Sequence, residues 1–150
     1  KYAQLGNLKA FAFTKPKVEG LNFSFSGLKT QIMYFLQKNT KENPQFIQEN
    51  LNDICASIQH TIVSILMDKI SKAVEQTGIS QIAIGGGVSA NKGIRKALEE
   101  AQETRKWTVF IPKFEYTTDN AAMIGIVGYY KYLDQQFADS STTSKPRIEI

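Results

Sequence analysis

Three consecutive glycines, an asparagine and one aspartate supply the groups from which a nucleotide site can be built. In QIAIGGGVSANKGIR, residues 81–95, a short apolar run ends in Gly85, Gly86 and Gly87, and Asn91 follows four residues later. Bare backbone at glycine lets a flat or anionic ligand lie close, because no Cβ keeps it away. A helix starting at Ser89 aims its unpaired N–H groups and positive dipole end at the same spot. Asn91, in the first turn of that helix, carries an amide that can donate and accept toward a base or ribose. The same pattern also turns corners in many α/β folds that bind nothing there. TTDNAAM, residues 117–123, adds Asp119 at the mouth of a second helix. Its carboxylate can cap free N–H groups and complement the dipole, or act as one ligand of a divalent ion whose other ligands come from elsewhere. Both readings stand at this level.

The elements that must position these groups are legible in outline. Residues 81–84 read as a short buried strand, 90–104 as a helix, 107–111 as a strand, and 118–137 as the last helix. This β–α–β–α order implies a parallel sheet with crossover helices. Ligands in such sheets bind beyond the carboxyl ends of the strands. Residues 85–91 and 113–120 both leave strands at that edge, so they should face one crevice. The small apolar stretch AAMIGIVGYY suits close packing of the last helix beneath it.

Upstream, Phe23 and Phe25 alternate with serines and predict a half-buried strand over residues 22–26. Leu28, Ile32, Phe35 and Leu36 place a helix over 27–37. Pro44 opens a long helix to about residue 76, striped by Ile47, Leu51, Ile54, Ile58, Ile62, Ile65 and Ile70, with Gly78 as its stop. Residues 1–21 lack periodicity and read as a loop or a severed connection. Residues 22–138 form the lobe. Residues 139–150 read as a polar tail, with room for a short terminal strand.

Composition narrows the class. The chain has 150 residues, 42% hydrophobic and 21% charged, which is ordinary for one globular domain. It begins at Lys1 with no signal- or transit-peptide organisation, so an internal fragment is expected. No apolar run approaches the roughly 20 residues of a membrane span. The single cysteine, Cys55, excludes an internal disulfide framework and fits a reducing, cytoplasmic setting. A net charge of +4, with lysines concentrated in residues 1–30 and 92–113, permits contact with a polyanion such as RNA without arguing for one.

Other reactive side chains find plainer explanations. His60, the sole histidine, sits mid-helix without a ligand-spaced companion. Cys55 beside the apolar stripe reads as a buried, inert thiol. Ser24, Ser26 and Lys29 form a conceivable nucleophile–base set, but a strand-to-helix cap accounts for the serines. Trp107 should pack. Tyr129, Tyr130 and Tyr132 can stack bases, although rim packing is the ordinary role of such residues.

FSFSGLKT (residues 23–30), IAIGGGVSANKGIR (82–95) and TTDNAAMIG (117–125) together resemble the C-terminal half of the bacterial tRNA adenosine threonylcarbamoyltransferases. These were long described as O-sialoglycoprotein endopeptidases, or glycoproteases. The resemblance covers about residues 8–135. It implies an α/β fold, one lobe of the actin/hexokinase/heat-shock-protein type of ATPase fold, with a mostly parallel sheet. It implies transfer of threonylcarbamoyl from threonylcarbamoyl-AMP to the exocyclic amine of an adenosine next to the anticodon. Asn91, with Gly86 and Gly87, then matches the adenylate contact. Asp119 matches a carboxylate ligand of a single metal ion, usually iron. Implied partners are tRNA, a degenerate paralogous subunit and a small ATPase subunit of the modification complex.

The departures are specific. A histidine pair spaced four apart and the first-lobe glycine loops are missing, and Thr117 stands where the family often has cysteine. The 150 residues alone are therefore expected to bind metal weakly and to lack turnover. Two other readings remain, a sugar- or acetate-kinase-like lobe and a non-catalytic partner lobe of the same superfold. The older protease label finds neither a Ser/Cys/His triad nor a zinc-binding helix.

Overall fold

A computed structural model describes residues 1–143. After a 3-10 turn at Tyr2–Gln4 and an irregular stretch come helix α1 (Ser26–Glu42) and helix α2 (Phe46–Thr77). Strand β1 (Gln81–Ala83), helix α3 (Lys92–Arg105), strand β2 (Thr108–Phe110) and helix α4 (Ala121–Leu133) follow, with 3-10 turns at Gly87–Ala90 and Phe114–Tyr116. β1 and β2 pair in parallel, Ile82 opposite Val109, so the crossover through α3 is as expected. The terminal strand considered for the tail falls outside the described residues.

The long helix has the expected extent. Its 32 residues run without a break, and Gly78 ends it in the left-handed region at φ 71° while its N–H donates to Val74. Ile54, Ala56 and Ile65 on α2, Ile94, Leu98 and Ala101 on α3, Leu28 on α1 and Trp107 at the foot of β2 are buried together. That core lies between α2, α3 and the sheet. Phe11, Phe35 and Phe46 add an aromatic cluster with ring centroids 5.1–5.8 Å apart where α1 meets α2.

Residues 6–20 form a strap that runs along α2. The Asn7 N–H donates to Asp53, the Phe11 N–H donates to the fully buried Ser57 hydroxyl, Lys15 pairs with Asp68, and Lys69 donates to the Val18 and Gly20 carbonyls. Gly6 lies so close to the helix that an added Cβ would overlap the Asn52 carbonyl.

Five expectations need correction. Residues 22–26 form no strand; Phe23 and Phe25 stack on each other at 5.5 Å instead, and α1 starts at Ser26 and runs to Glu42, past residue 37. β1 is not buried: Gln81 and Ala83 are exposed and only Ile82 is half covered, because α3 lines one face of a two-stranded sheet. The last helix is shorter than 118–137, since Asn120 is extended at its start and Gln135 turns left-handed at φ 56° beyond its end. None of its residues is buried, and Ile124 is 77% exposed, so α4 stands clear of the core rather than packing beneath the loops.

Candidate functional site

The chain turns at Gly86, whose φ of 72° and ψ of 178° belong to a region that essentially only glycine enters. The Gly86 carbonyl accepts from the N–H of Ser89 at 3.0 Å and from its hydroxyl at 2.7 Å. Ser89 is buried, so this bond closes the corner from inside. Sequence reasoning missed Ser89; its place three residues after a glycine in a tight turn was the available signal. A Cβ built at Gly85, Gly86 or Gly87 would meet no atom within 4 Å. Packing among the described residues therefore does not demand glycine at 85 and 87, and the bare backbone there leaves room for a ligand.

Asn91 is the N-cap of α3, one step before the first turn. Its Oδ1 accepts from the Gly93 N–H at 2.8 Å and the Ile94 N–H at 3.3 Å. The amide oxygen is thus committed to the helix, and the Nδ2 donors are what Asn91 has left for a ligand. That corrects the expectation of a group both donating and accepting. α3 carries no acid in its first turn, and Lys92 adds positive charge to the dipole end.

The second loop is braced in the same style. Buried Thr117 donates through Oγ1 to the Phe114 carbonyl at 2.8 Å. Asn120, not Asp119, caps α4: its Oδ1 accepts from the Met123 N–H at 3.2 Å, and its Nδ2 donates to the Thr118 carbonyl at 2.8 Å. Asp119 is exposed, and among the described residues no hydrogen bond engages its carboxylate. The capping role considered for it belongs to its neighbour.

Both loops leave the carboxyl ends of parallel neighbours. The last rung of the ladder joins the Ile84 N–H to the Phe110 carbonyl at 3.2 Å. Beyond it Arg95 crosses between the loops, Nε donating to the Ser89 carbonyl at 2.6 Å and Nη2 to the Pro112 carbonyl at 2.8 Å. The glycine corner and the loop leading to Asp119 are side by side, as a shared crevice requires. Cavities of about 260 and 570 Å³ lie along α2, and the larger reaches the corner at Lys92 and Gly93.

The remaining candidates are not drawn in. His60 is exposed on α2. Cys55 is half-buried rather than buried. Ser24 accepts weakly from the Ser26 N–H at 3.4 Å, with no bond to Lys29. Trp107 is buried as expected, with the Arg105 guanidinium 5.2 Å from its ring. Among the described residues no three His, Cys, Asp or Glu side chains group as a metal site. Asp119 by itself fits a single ligand, and among the described residues no complete metal site accompanies it.

The model of the family described as tRNA N6-adenosine threonylcarbamoyltransferase matches residues 1–126. The chain belongs to this threonylcarbamoyltransferase family. A relative of that name from Christiangramia forsetii is 64% identical over 150 residues, all of this chain and 44% of its own length. Relatives of the same name from Riemerella anatipestifer and Cytophaga hutchinsonii are each 53% identical, over 150 and 149 residues, covering 44% and 43% of their lengths. The chain spans less than half the length of these curated relatives. The family fold is actin-like, and the parallel β1–β2 pair with its helices is an α/β portion of it. The kinase-like lobe loses its ground. Among the described residues of this threonylcarbamoyltransferase-family chain, no helix is long and apolar enough to cross a membrane.

Proposed function

We propose that this chain forms one lobe of a transferase that moves threonylcarbamoyl from threonylcarbamoyl-AMP to N6 of an adenosine in tRNA. The observation that carries the reading is the glycine corner, open at all three positions and set beside the loop that presents Asp119. In the reaction the adenosine amine attacks the carbamoyl carbon, the new N–C bond forms, the bond from that carbon to the phosphate oxygen breaks, and AMP departs with the amine's proton lost. No side-chain nucleophile is needed, so positioning supplies much of the rate.

The roles divide by loop. Backbone at Gly86 and Gly87 borders the adenylate, and Asn91 Nδ2 donates to it while Oδ1 holds the helix start. The positive end of α3 favours the phosphate. Asp119 supplies one carboxylate to a divalent ion, proposed as iron, whose other ligands lie outside this chain. When bound, such an ion polarises the carbonyl under attack. tRNA, a degenerate paralogous subunit and a small ATPase subunit are the proposed partners, in the cytoplasm.

The test is a paired assay of the full-length protein. Threonylcarbamoyl transfer to tRNA is expected, with no ATP-dependent phosphorylation of sugars or acetate. The 150 residues alone should take up metal weakly and give no turnover. Sugar phosphorylation by the full-length protein, or tight stoichiometric metal binding by this chain alone, would overturn the assignment.

A further inference from the structure

We infer that Arg95 is a positioning residue, a side-chain rung that continues the β1–β2 ladder past its end and holds the two site loops in register. The backbone ladder stops at the Ile84–Phe110 bond, 3.2 Å long. From there the chains diverge into Gly85–Ala90 on one side and Pro112–Tyr116 on the other. Each loop is closed only on itself: Ser89 and Asn91 donate to Gly86 and Val88, while Tyr116 and Thr117 donate to Lys113 and Phe114. Arg95 supplies the link between them, through Nε to the Ser89 carbonyl and Nη2 to the Pro112 carbonyl. Its guanidinium carbon also lies 5.4 Å from the centre of the Phe114 ring, so the plate is held on a third side.

The chemistry of the side chain suits this and little else does. A guanidinium is flat, permanently charged and presents donors in a fixed fork, so it spans two carbonyls at one geometry. An ammonium is a point donor on a flexible stem and satisfies one carbonyl well. Arg95 also lies one helical turn beyond Asn91, with its own N–H donating to the Asn91 carbonyl at 3.1 Å. The residue that faces the nucleotide and the residue that fixes the opposite loop are therefore borne on one turn of α3. A separation of those loops would move Asp119 relative to Asn91 without touching either.

The geometric part stands on distances alone; the kinetic part rests on the transferase reading above. The experiment compares full-length wild type with Arg95→Lys and Arg95→Ala. Hydrogen exchange is read at the amides of residues 86–91 and 113–117, with residues 54–65 of α2 as the internal control. In Arg95→Ala both loops should lose protection together, by about tenfold or more, while α2 is unchanged; Arg95→Lys should fall between. In the transfer assay kcat should drop about 10- to 100-fold, with a much smaller change in KM for the adenylate. Added guanidinium ion should restore part of the Arg95→Ala rate and none of the Arg95→Lys rate. Retained protection in both loops, or loosening of one loop only, overturns the clamp. Absence of transfer by wild type overturns the transferase reading and leaves exchange to decide Arg95. Global loss of protection, α2 included, in both variants would show a residue needed for the whole core and would also overturn the clamp.

Discussion

On the metal role proposed for Asp119, Asp119→Asn in the full-length protein is expected to strip the metal and lower turnover about a thousandfold, while moving the thermal midpoint by less than about 2 °C. The contrast between the two effects follows from the position of the side chain. Asp119 is exposed, hydrogen-bonded to nothing among the described residues, and relieved of capping by Asn120. Its charge is thus idle in the fold, and asparagine keeps its shape while removing that charge. A polarising ion contributes several kcal/mol to a carbonyl under attack, which is where the thousandfold arises. The adjacent Asn120→Ala should behave in the opposite way, losing a cap worth about 1 kcal/mol and keeping its metal. Metal content by mass spectrometry, together with single-turnover transfer, reads both. Full metal occupancy and undiminished transfer in Asp119→Asn would remove Asp119 from the site.

Gly6→Ala should destabilise the protein by about 3 kcal/mol, lowering the thermal midpoint by roughly 6–12 °C. The new methyl would occupy the space of the Asn52 carbonyl, and neither can rotate away because a Cβ is fixed to its Cα and the carbonyl is helix backbone. The strap must lift. In lifting it breaks the bond from the Phe11 N–H to Ser57 and leaves a fully buried hydroxyl short of a partner. Gly85→Ala is the control, since a methyl there meets nothing within 4 Å and the backbone conformation is ordinary. Its stability should stay within about 0.5 kcal/mol of wild type. Equal midpoints for the two alanine variants would show that the strap contributes nothing to stability.

The parts of the fold that were legible in the sequence rest on local repetition. The isoleucine stripe from Ile47 to Ile70 and the stop at Gly78 specify α2 almost completely, because helical periodicity over so many turns outweighs any single neighbour. The glycine corner and the parallel pair were legible for a similar reason, short punctuation between periodic runs. What failed depends on distant partners. Phe23 and Phe25 alternate as a strand would, but a strand needs a neighbour to bond, and here the two rings only meet each other at a tilt while Phe23 stays exposed. AAMIGIVGYY announces burial, and the described residues, which span less than half the length of the relatives, supply none of it to α4.

The site divides along the same line. Asn91 and Asp119 could be named from motifs, yet their hydrogen-bonding states could not. Two polar residues stand together at Asp119 and Asn120, and only the structure shows which one caps. The clamp made by Arg95, the last residue of the quoted motif, was not legible, because both of its acceptors are main-chain carbonyls, which every residue possesses.

The strap has one more consequence, for the order in which the molecule assembles. Its bonds join residues 46 to 53 positions apart, with α1 and the start of α2 or more in between. Contacts that distant are slow to find, whereas a helix winds from its own neighbours. Residues 6–20 emerge during synthesis long before the groove that receives them exists. Their bonds to α2 can form only after that helix has been made.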